Sequence, residues 1–392
     1  MATPALRLLR SRLRGSFIGA LVRPGLDELL AGTDFFDEVH VASAQGLMGP
    51  KRAAAKVRGR AYDTALLLTN SFSTALATRL AFIPRRIGYD RDGRGVLLTD
   101  KLIPAKRGAG RLGDAGGGFA PVPMVEYYLR AARAVIGESE EGTETSKHQG
   151  IRLELGVTPG QDAAAQRLLR SAGIDGTRPM AVINPGANDV AKRWPAERFA
   201  HVAAHLAARG MDIAINGSPD ERELVAEVAR LARKEVEEHG QDGRGTKKDM
   251  PTPGPSLGEG FGNANGQDAR ATQDARGGAV IAELPALGIT IGSLKGVIRR
   301  AAVMLTNDTG PRHIGAAFGV PTVTLFGPTD PRWTMLPDDG TARADLVADP
   351  ALPDGDLADD HPERCRIDRI EVEGVIAAVE GVLRRSARTV HG

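Results

Sequence analysis

Residues 302–331, which read AVMLTNDTGPRHIGAAFGVPTVTLFGPTDP, decide the fold of this chain. The apolar run AVMLT predicts a buried strand, and PTVTLFG predicts another strand further along. Between them, Pro311 suits the first turn of a helix, where no backbone N–H is needed, and Gly319 suits the end of that helix. Strand, helix and strand in this order predict parallel pairing, with helices covering the sheet.

The same alternation runs through both halves of the chain. In the second half, a strand at 180–184 leads through a glycine turn to a helix from about Pro195, and a strand at 211–216 leads to another helix. A later helix is predicted to begin with Ser293 as its cap. The first half has three apolar runs between helical patterns: SFIGALV (16–22), EVHVA (38–42) and TALLLT (64–69). These patterns predict two doubly wound α/β lobes, whose ligands bind beyond the carboxyl ends of the strands.

Length and composition fit this organisation. With 392 residues, 42% of them hydrophobic and 26% charged, the chain suits two globular domains. We place the first domain and its linker at 1–150, the second domain at 151–373, and a C-terminal helix and tail at 374–392. A single cysteine and the absence of any apolar run of about 18 residues favour a cytoplasmic protein without a membrane span.

A glycine-rich stretch at 235–278 interrupts the second domain. It contains few large apolar side chains, so it cannot bury enough surface to offset the entropy of ordering it. We expect a disordered surface insertion here, with a partner-binding loop as the alternative.

Charge is unevenly distributed. Residues 1–113 contain 19 Lys and Arg against 9 Asp and Glu, although the net charge of the whole chain is only +2. A basic lobe can face nucleic acid, an anionic membrane or an anionic acceptor, or can simply be solvated. The aromatic content of 4% and the lack of a recognition motif argue against nucleic acid.

The loop after AVMLT carries the strongest chemical signal. Thr309 or Gly310 begins the predicted helix at the edge of the sheet, where free N–H groups and the helix dipole attract an anion. His313, one turn into the helix, can add a side-chain donor. Asp308 lies just before this helix, at the same site. Its carboxylate can either face the ligand or cap the helix by accepting a backbone N–H.

Two further loops follow strands of the same lobe. Gly186 lies in the turn after 180–184, and Lys192 in that loop supplies a mobile positive charge for a phosphate, although a single loop lysine is more often only solvated. Glu221 follows the strand at 211–216, where its carboxylate can cap backbone N–H groups or accept hydrogen bonds from a ribose. The three loops together predict a site for a diphosphate-linked nucleotide.

The three loops resemble those of the ADP-heptose:lipopolysaccharide heptosyltransferases of glycosyltransferase family 9, with the type II enzymes as the best match. NDTGPRHIGAA and LFGPTDP resemble the nucleotide-sugar signature of the family, and AKRWPAERFA resembles its phosphate-binding lysine segment. NSFSTAL (70–76) and PRRIGY (84–89) resemble segments of its acceptor lobe. The resemblance runs from Met1 to about Leu383, apart from the insertion. It implies the GT-B architecture, in which two Rossmann-like domains enclose a ligand cleft.

The resemblance also implies an activity. Members of this family are inverting enzymes that transfer heptose from ADP-L-glycero-D-manno-heptose to the anionic, lipid-linked inner core of lipopolysaccharide. By motif, Lys192, Thr309, Gly310 and His313 would hold the diphosphate, with Gly186 in the same site. Asp308 would lie by the sugar and Glu221 by the ribose, without a metal or other cofactor. The first domain would contact the inner membrane peripherally, and the C-terminal helix would cross back to that domain.

Two other functions are alternatives to glycosyl transfer. Residues 108–113 match GxGxxG, but they follow no predicted strand and open no helix, which disfavours a dehydrogenase. The second alternative is a non-catalytic protein that binds the sugar nucleotide without turnover. Asp354-Gly355-Asp356 spells a DxD motif, but it lies in a Pro/Asp/Gly loop away from any strand tip, so we predict no metal site there.

The chain opens with a helical pattern, whereas a doubly wound lobe should open with a strand. MATPALRLLR predicts a helix with Thr3 as its cap and Pro4 in its first turn. In the resembled family, a strand and a Gly-Asp loop precede a segment of this kind, and the aspartate activates the acceptor hydroxyl. We therefore expect the catalytic base upstream of Met1 and a gap in the first sheet.

Overall fold

The computed structural model describes residues 1–107, 118–138, 151–241 and 278–390. The chain divides into two compact units, Met1–Thr158 with Pro331–Asp339 (unit 1) and Pro159–Asp330 with Gly340–Gly392 (unit 2). Both units are α/β and contain parallel sheets, which confirms the predicted fold class. The GxGxxG match and most of the predicted linker lie outside the described residues.

The α-helices of the described residues are, in chain order, α1 (Thr3–Arg12), α2 (Leu26–Leu30), α3 (Gly49–Arg58), α4 (Phe72–Leu80), α5 (Met124–Ile136), α6 (Pro159–Ser171), α7 (Ala196–Ala208), α8 (Arg222–Gln241), α9 (Ile291–Arg299), α10 (Gly310–Ala317), α11 (Pro331–Thr334) and α12 (Val372–Val390). None of these helices combines the length and the apolar character that crossing a membrane requires.

The sheet of unit 1 is interrupted. Its strands are β1 (Gly19–Val22), β2 (Glu38–Val41), β3 (Thr64–Leu67), β4 (Arg85–Tyr89) and β5 (Asp100–Leu102). β1 pairs with β2, and β3, β4 and β5 form a separate sheet, so no ladder joins the two sets among the described residues. In a sheet of order 3-2-1-4-5-6, the first strand lies between the second and the fourth. Two separate sheets are compatible with the expected gap, and both a missing first strand and the location of a catalytic base stay predictions.

Helix α1 differs from its predicted start. Ala2, not Thr3, is the N-cap residue, and the Thr3 hydroxyl accepts a hydrogen bond from the Glu154 backbone N–H at 3.0 Å. Glu154 also forms an ion pair with Arg7 at 2.8 Å. Because these contacts tie residues after 150 to α1, unit 1 extends to Thr158 and the predicted boundary at 150 is too early.

Unit 2 is built on one six-stranded parallel sheet. Its strands are β6 (Met180–Asn184), β7 (Asp212–Ile215), β8 (Ile281–Glu283), β9 (Val303–Asn307), β10 (Thr322–Phe326) and β11 (Arg343–Val347). They lie in the order β11-β10-β9-β6-β7-β8. Every residue of β6, β7, β9 and β10 is buried, as expected for strands with helices on both faces. The carboxyl ends of β7, β6 and β9 are therefore neighbours at one edge of the sheet.

Two predictions about unit 2 are corrected by local packing. Residues 235–241, expected in the insertion, continue α8, because Val236 packs against the core and His201 contacts the Glu235 carboxylate at 2.6 Å. The rest of the expected insertion, to 277, lies outside the described residues. Helix α9 is capped by Thr290, and Ser293 instead completes a capping box with it.

The C-terminal helix α12 packs against the core of unit 2, and its predicted crossing back to the first domain stays a prediction. Val375, Val379 and Val382 are at most 1% exposed and belong to the core of this unit. Their spacing places them on one helical face, which packs against β10, β11 and α7. Glu380 adds contacts to α7, at 3.1 Å from His205 and 2.9 Å from Arg209.

We predict that Val379→Ala lowers the free energy of unfolding by about 2 kcal/mol, because it leaves a cavity between α12 and the sheet. Arg384→Ala is the matched control on the exposed face of the same helix, where the Arg384 side chain is 60% exposed, and it should cost less than about 0.5 kcal/mol. Denaturant titration of both variants measures this difference. Equal stability of the two variants would contradict the packing of α12 on unit 2.

Candidate functional site

Each of three neighbouring strands of unit 2 ends in, or is directly followed by, a buried asparagine. Asn216 directly follows β7, Asn184 ends β6 and Asn307 ends β9, and each is at most 5% exposed. Asn216 Nδ2 donates to Asn184 Oδ1 at 2.5 Å, and Asn184 Nδ2 donates to Thr306 Oγ1 at 3.3 Å. This row of side chains links the carboxyl ends of the strands where the three predicted loops begin.

Asn307 joins β9 to the loop that follows β6. Its Nδ2 donates to the carbonyl oxygens of Pro185 at 2.9 Å and Gly186 at 3.4 Å. Its Oδ1 accepts a hydrogen bond from the Trp194 backbone N–H at 3.4 Å. One buried side chain therefore holds both ends of the loop 185–194, which carries Lys192.

The loop itself has a defined conformation. Residues Val190–Lys192 form a 3-10 turn, and the Asp189 carboxylate caps it by accepting the Ala191 N–H at 3.0 Å. Arg193 Nε donates to the Ala187 carbonyl at 2.8 Å. Lys192 is only partly exposed and forms no ion pair with any described residue. Its positive charge is therefore compatible with an anionic ligand.

Glu221 lies against Gly186. Glu221 Oε2 accepts the Ser218 N–H at 2.8 Å and completes a capping box at the 3-10 turn Pro219–Glu221. A Cβ added to Gly186 would lie 2.2 Å from Glu221 Cδ, so only glycine leaves room for this carboxylate. Of the two predicted roles of Glu221, capping is observed, and contact with a ribose stays a prediction.

Helix α10 begins without a side-chain cap. Thr309 is its N-cap residue, but the Thr309 hydroxyl donates to the Asn307 carbonyl at 3.4 Å and caps no helix N–H. Gly310 is exposed, and a Cβ added there would meet nothing within 4 Å. The N-terminus of this helix has the space and the N–H groups that an anion needs.

Asp308 has a partner within the protein. It does not cap α10, and its carboxylate lies 3.3 Å from Nη1 of Arg312. Arg312 is completely buried, and it also donates to Thr324 Oγ1 at 3.1 Å and lies 3.4 Å from the Asp345 carboxylate. The Asp308 carboxylate is thus oriented by a buried guanidinium, and its predicted position beside the sugar stays a prediction.

His313 carries a buried ring nitrogen, Nδ1, without a hydrogen-bond partner among the described residues. Burial lowers the pKa of the imidazole well below its ordinary value, so the ring is neutral at pH 7. A neutral imidazole offers one donor and one acceptor, which suits hydrogen bonding to a ligand.

The predicted site residues are connected to one another in different ways. Gly186 and Glu221 touch directly, and Asp308, Thr309, Gly310 and His313 share the β9–α10 turn. Lys192 joins them through the loop that Asn307 holds. The buried residues that organise the site were not predicted: Asn184, Asn216, Asn307 and Arg312. A signal for three of them was present, because MAVIN, MDIAIN and VMLTN are apolar strands that each end in asparagine.

Comparison with known proteins identifies the family. The model of glycosyltransferase family 9 (heptosyltransferase) matches residues 51–239 and 267–344, which is more than half of the chain. The chain belongs to glycosyltransferase family 9.

Curated relatives of this family 9 chain are similar at low identity. It is 23% identical over 289 residues to lipooligosaccharide heptosyltransferase 2 of Haemophilus influenzae, covering 73% of this chain and 66% of the relative. It is 25% identical over 281 residues to lipopolysaccharide heptosyltransferase 2 of Escherichia coli, covering 71% of this chain and 63% of the relative. The matched part thus spans slightly less than two thirds of these relatives.

Solved structures of family 9 members share the fold. The E. coli ADP-heptose lipopolysaccharide heptosyltransferase II has a TM-score of 0.66 and 20% identity, with 98% of this chain and 95% of that chain covered. A family 9 glycosyl transferase from Veillonella parvula also has a TM-score of 0.66 and 20% identity, with 98% and 92% covered. These likenesses support the GT-B fold class.

The segments that resemble the acceptor lobe of family 9 meet in unit 1. Asn70 Oδ1 accepts hydrogen bonds from Arg94 Nη2 at 3.2 Å and from the Tyr127 hydroxyl at 2.9 Å. Arg94 is completely buried and also donates from Nε to the Tyr89 carbonyl at 2.9 Å. Asn70, after β3, and Tyr89, at the end of β4, are thereby joined at one edge of their sheet.

We predict that Asn307→Asp lowers the free energy of unfolding by about 2–3 kcal/mol, because a buried carboxylate cannot donate to the two loop carbonyls. Asn188→Asp makes the same chemical change at an exposed position of the same loop and is the control. Denaturant titration should find the control within about 0.5 kcal/mol of the parent chain. Equal effects at both positions would show that Asn307 does not hold the loop.

We also predict a pH dependence that comes from His313. The pKa of His313 is lowered in the folded state, so below about pH 6.5 the unfolded state binds the proton that the folded state rejects. Stability is therefore unaffected by this group above that pH and falls as the pH is lowered. The loss should grow as the pH falls further below about 6.5. His313→Asn should remove that part of the acid sensitivity, and identical pH profiles for the variant and the parent would refute the assignment.

Proposed function

We propose that this chain is an inverting glycosyltransferase that transfers heptose from ADP-L-glycero-D-manno-heptose to the inner core of lipopolysaccharide. The observation that carries the proposal is the uncapped start of α10, with exposed Gly310, beside a lysine loop that Asn307 holds to the same strand. Membership of family 9 supports the reaction type.

The diphosphate of the donor would bind at this start of α10. The N–H groups of the first turn and the helix dipole stabilise negative charge, and the Lys192 ammonium adds a full positive charge. His313 would donate a hydrogen bond from its neutral ring. Because displacement at the anomeric carbon releases ADP, groups that stabilise the departing diphosphate also lower the barrier to transfer.

The rest of the donor would extend across the neighbouring strand tips. Asp308 would lie by the heptose, with Arg312 orienting its carboxylate. Glu221 would meet the ribose through Oε1, because Oε2 is engaged with the Ser218 N–H. The acceptor, an anionic lipid-linked oligosaccharide, would bind the basic unit 1, in peripheral contact with the inner face of the membrane.

We predict that Lys192→Ala and His313→Ala each weaken ADP binding by about 10- to 100-fold, because each removes one charge-assisted or ionic contact worth about 1.5–3 kcal/mol. Lys234→Ala, on the exposed face of α8, is the matched control and should retain the parent affinity. Isothermal titration calorimetry measures all three. Parent affinity in both site variants would place the nucleotide elsewhere.

A transfer assay tests the reaction itself. The parent chain is incubated with ADP-heptose and heptose-deficient lipopolysaccharide, and release of ADP together with growth of the acceptor is followed. Transfer supports the proposed enzyme. Because the catalytic base is expected upstream of Met1, a chain extended upstream is assayed in parallel. Tight binding of ADP-heptose without transfer by both chains would instead support the alternative of a sugar-nucleotide-binding protein without turnover.

A further inference from the structure

Helix α3 of unit 1 exposes a row of positive charges. Its sequence, GPKRAAAKVR, contains no acidic residue. One face is buried and carries Ala53, Ala54 and Val57. The opposite, exposed face carries four cations: Lys51, Arg52, Lys56 and Arg58. Lys51, Arg52 and Lys56 form no ion pair with any residue that the structure describes, so their charge is not neutralised within the described protein.

An exposed apolar tip precedes this helix. The Leu47 side chain is 97% exposed, and Met48, the N-cap residue of α3, is 49% exposed. Gly46 has a φ of +73°, which favours glycine, and the Gly49 N–H donates to the Gly46 carbonyl at 3.1 Å. A Cβ on Gly49 would lie 2.4 Å from the carbonyl carbon of Ala44. The turn is thus closely folded, and it presents Leu47 to solvent.

A second exposed apolar residue lies at the far end of the helix. Phe82 is 70% exposed, and the guanidinium carbon of Arg58 lies 5.0 Å from the centre of its ring. Arg58 also donates to the Leu80 carbonyl at 2.7 Å, which fixes it beside this ring. A ten-residue helix is about 15 Å long, so apolar side chains lie at both ends of a basic strip of that length.

We propose that Leu47, Met48, Lys51, Arg52, Lys56, Arg58 and Phe82, together the α3 surface, dock onto a bilayer that contains anionic phospholipids. Cations attract the negative lipid surface, and exposed apolar side chains at the same surface enter the boundary between headgroups and acyl chains. Nucleic acid phosphates could also pair with these cations, but they would not bury the exposed Leu47 side chain. The inference deepens the proposed function, because it rests on a lipid-linked acceptor and names the face that meets the membrane.

Partitioning onto vesicles tests the charges. The full chain is mixed with vesicles of phosphatidylcholine alone, or with vesicles in which about a third of the lipid is phosphatidylglycerol. Binding should require the anionic lipid and fall with added salt. Combined Lys51→Glu, Arg52→Glu and Lys56→Glu should lower the partition coefficient about 100-fold or more, since each cation contributes roughly a factor of five.

A matched triple variant separates the effect of the α3 surface from the effect of net charge on vesicle binding. Arg167→Glu, Arg170→Glu and Arg230→Glu make the same charge change on exposed helical positions of unit 2. Because these residues lie outside the α3 surface, the proposal predicts that this control changes partitioning by less than about threefold. Equal losses in both triple variants would overturn the proposal.

Insertion of the tip provides a second readout. Leu47→Trp should bind as the parent does, and its added fluorescence should be quenched by lipids brominated along the acyl chain. Leu47→Ser should lower partitioning about tenfold, because a buried leucine contributes on the order of 1.5 kcal/mol or more. Unquenched Leu47→Trp on bound protein, or duplex DNA that competes fully with the vesicles, would overturn the proposal.

ADP titration separates failure of this inference from failure of the proposed function. All the α3 variants should keep the parent ADP affinity and melting temperature, since the proposed donor site lies in unit 2. A parent chain that binds ADP but does not bind anionic vesicles selectively would reject the α3 surface alone. Vesicle binding by a chain that binds no ADP would leave the α3 surface standing and reject the proposed function.

Discussion

The donor-side site depends on the side-chain amide of Asn307. This group is completely buried, and its donors and its acceptor are all used, on the carbonyls of Pro185 and Gly186 and on the Trp194 N–H. A loop that leaves a buried strand carries backbone groups that need partners, and an unpaired buried group is costly. By supplying those partners, Asn307 sets the course of the loop between 185 and 194, and hence the position of Lys192 relative to the start of α10.

The polar groups around Asn307 fall into two kinds. Asp308 and Arg312 are paired inside the protein, and Glu221 is engaged as a cap, so contacts within the fold satisfy these groups and fix their orientation. His313 Nδ1 and the Lys192 ammonium lack such pairing among the described residues, and the start of α10 is uncapped. In the proposed site, His313, Lys192 and the start of α10 would supply the binding energy, because a ligand would provide the hydrogen bonds and the negative charge that the described protein does not.

Unit 1 differs from unit 2 in its sheets and in its exposed surface. Its described strands form two separate sheets, and exposed Leu47, Met48 and Phe82 lie at the ends of a helix that carries only positive charge. Exposed apolar and basic groups together favour an anionic lipid surface over water. The proposed function and the proposed α3 surface together imply a division of work, in which unit 2 would hold a small anionic donor and unit 1 would meet a large amphipathic acceptor.

The sequence alone determined what depends on neighbouring residues. Apolar runs located β6 and β9, Pro311 marked the first turn of α10, and the motif residues named the family, because strand propensity and helix-start chemistry are local. The tertiary structure decided what depends on distant partners. Asn307 and Pro185 are 122 residues apart, and only the pairing of β6 with β9 brings them together. For the same reason, the contact of Arg312 with Asp345 and the docking of α12 on unit 2 could not be predicted. The local pattern allowed the capping role of Glu221, but only the tertiary structure placed its carboxylate against Gly186.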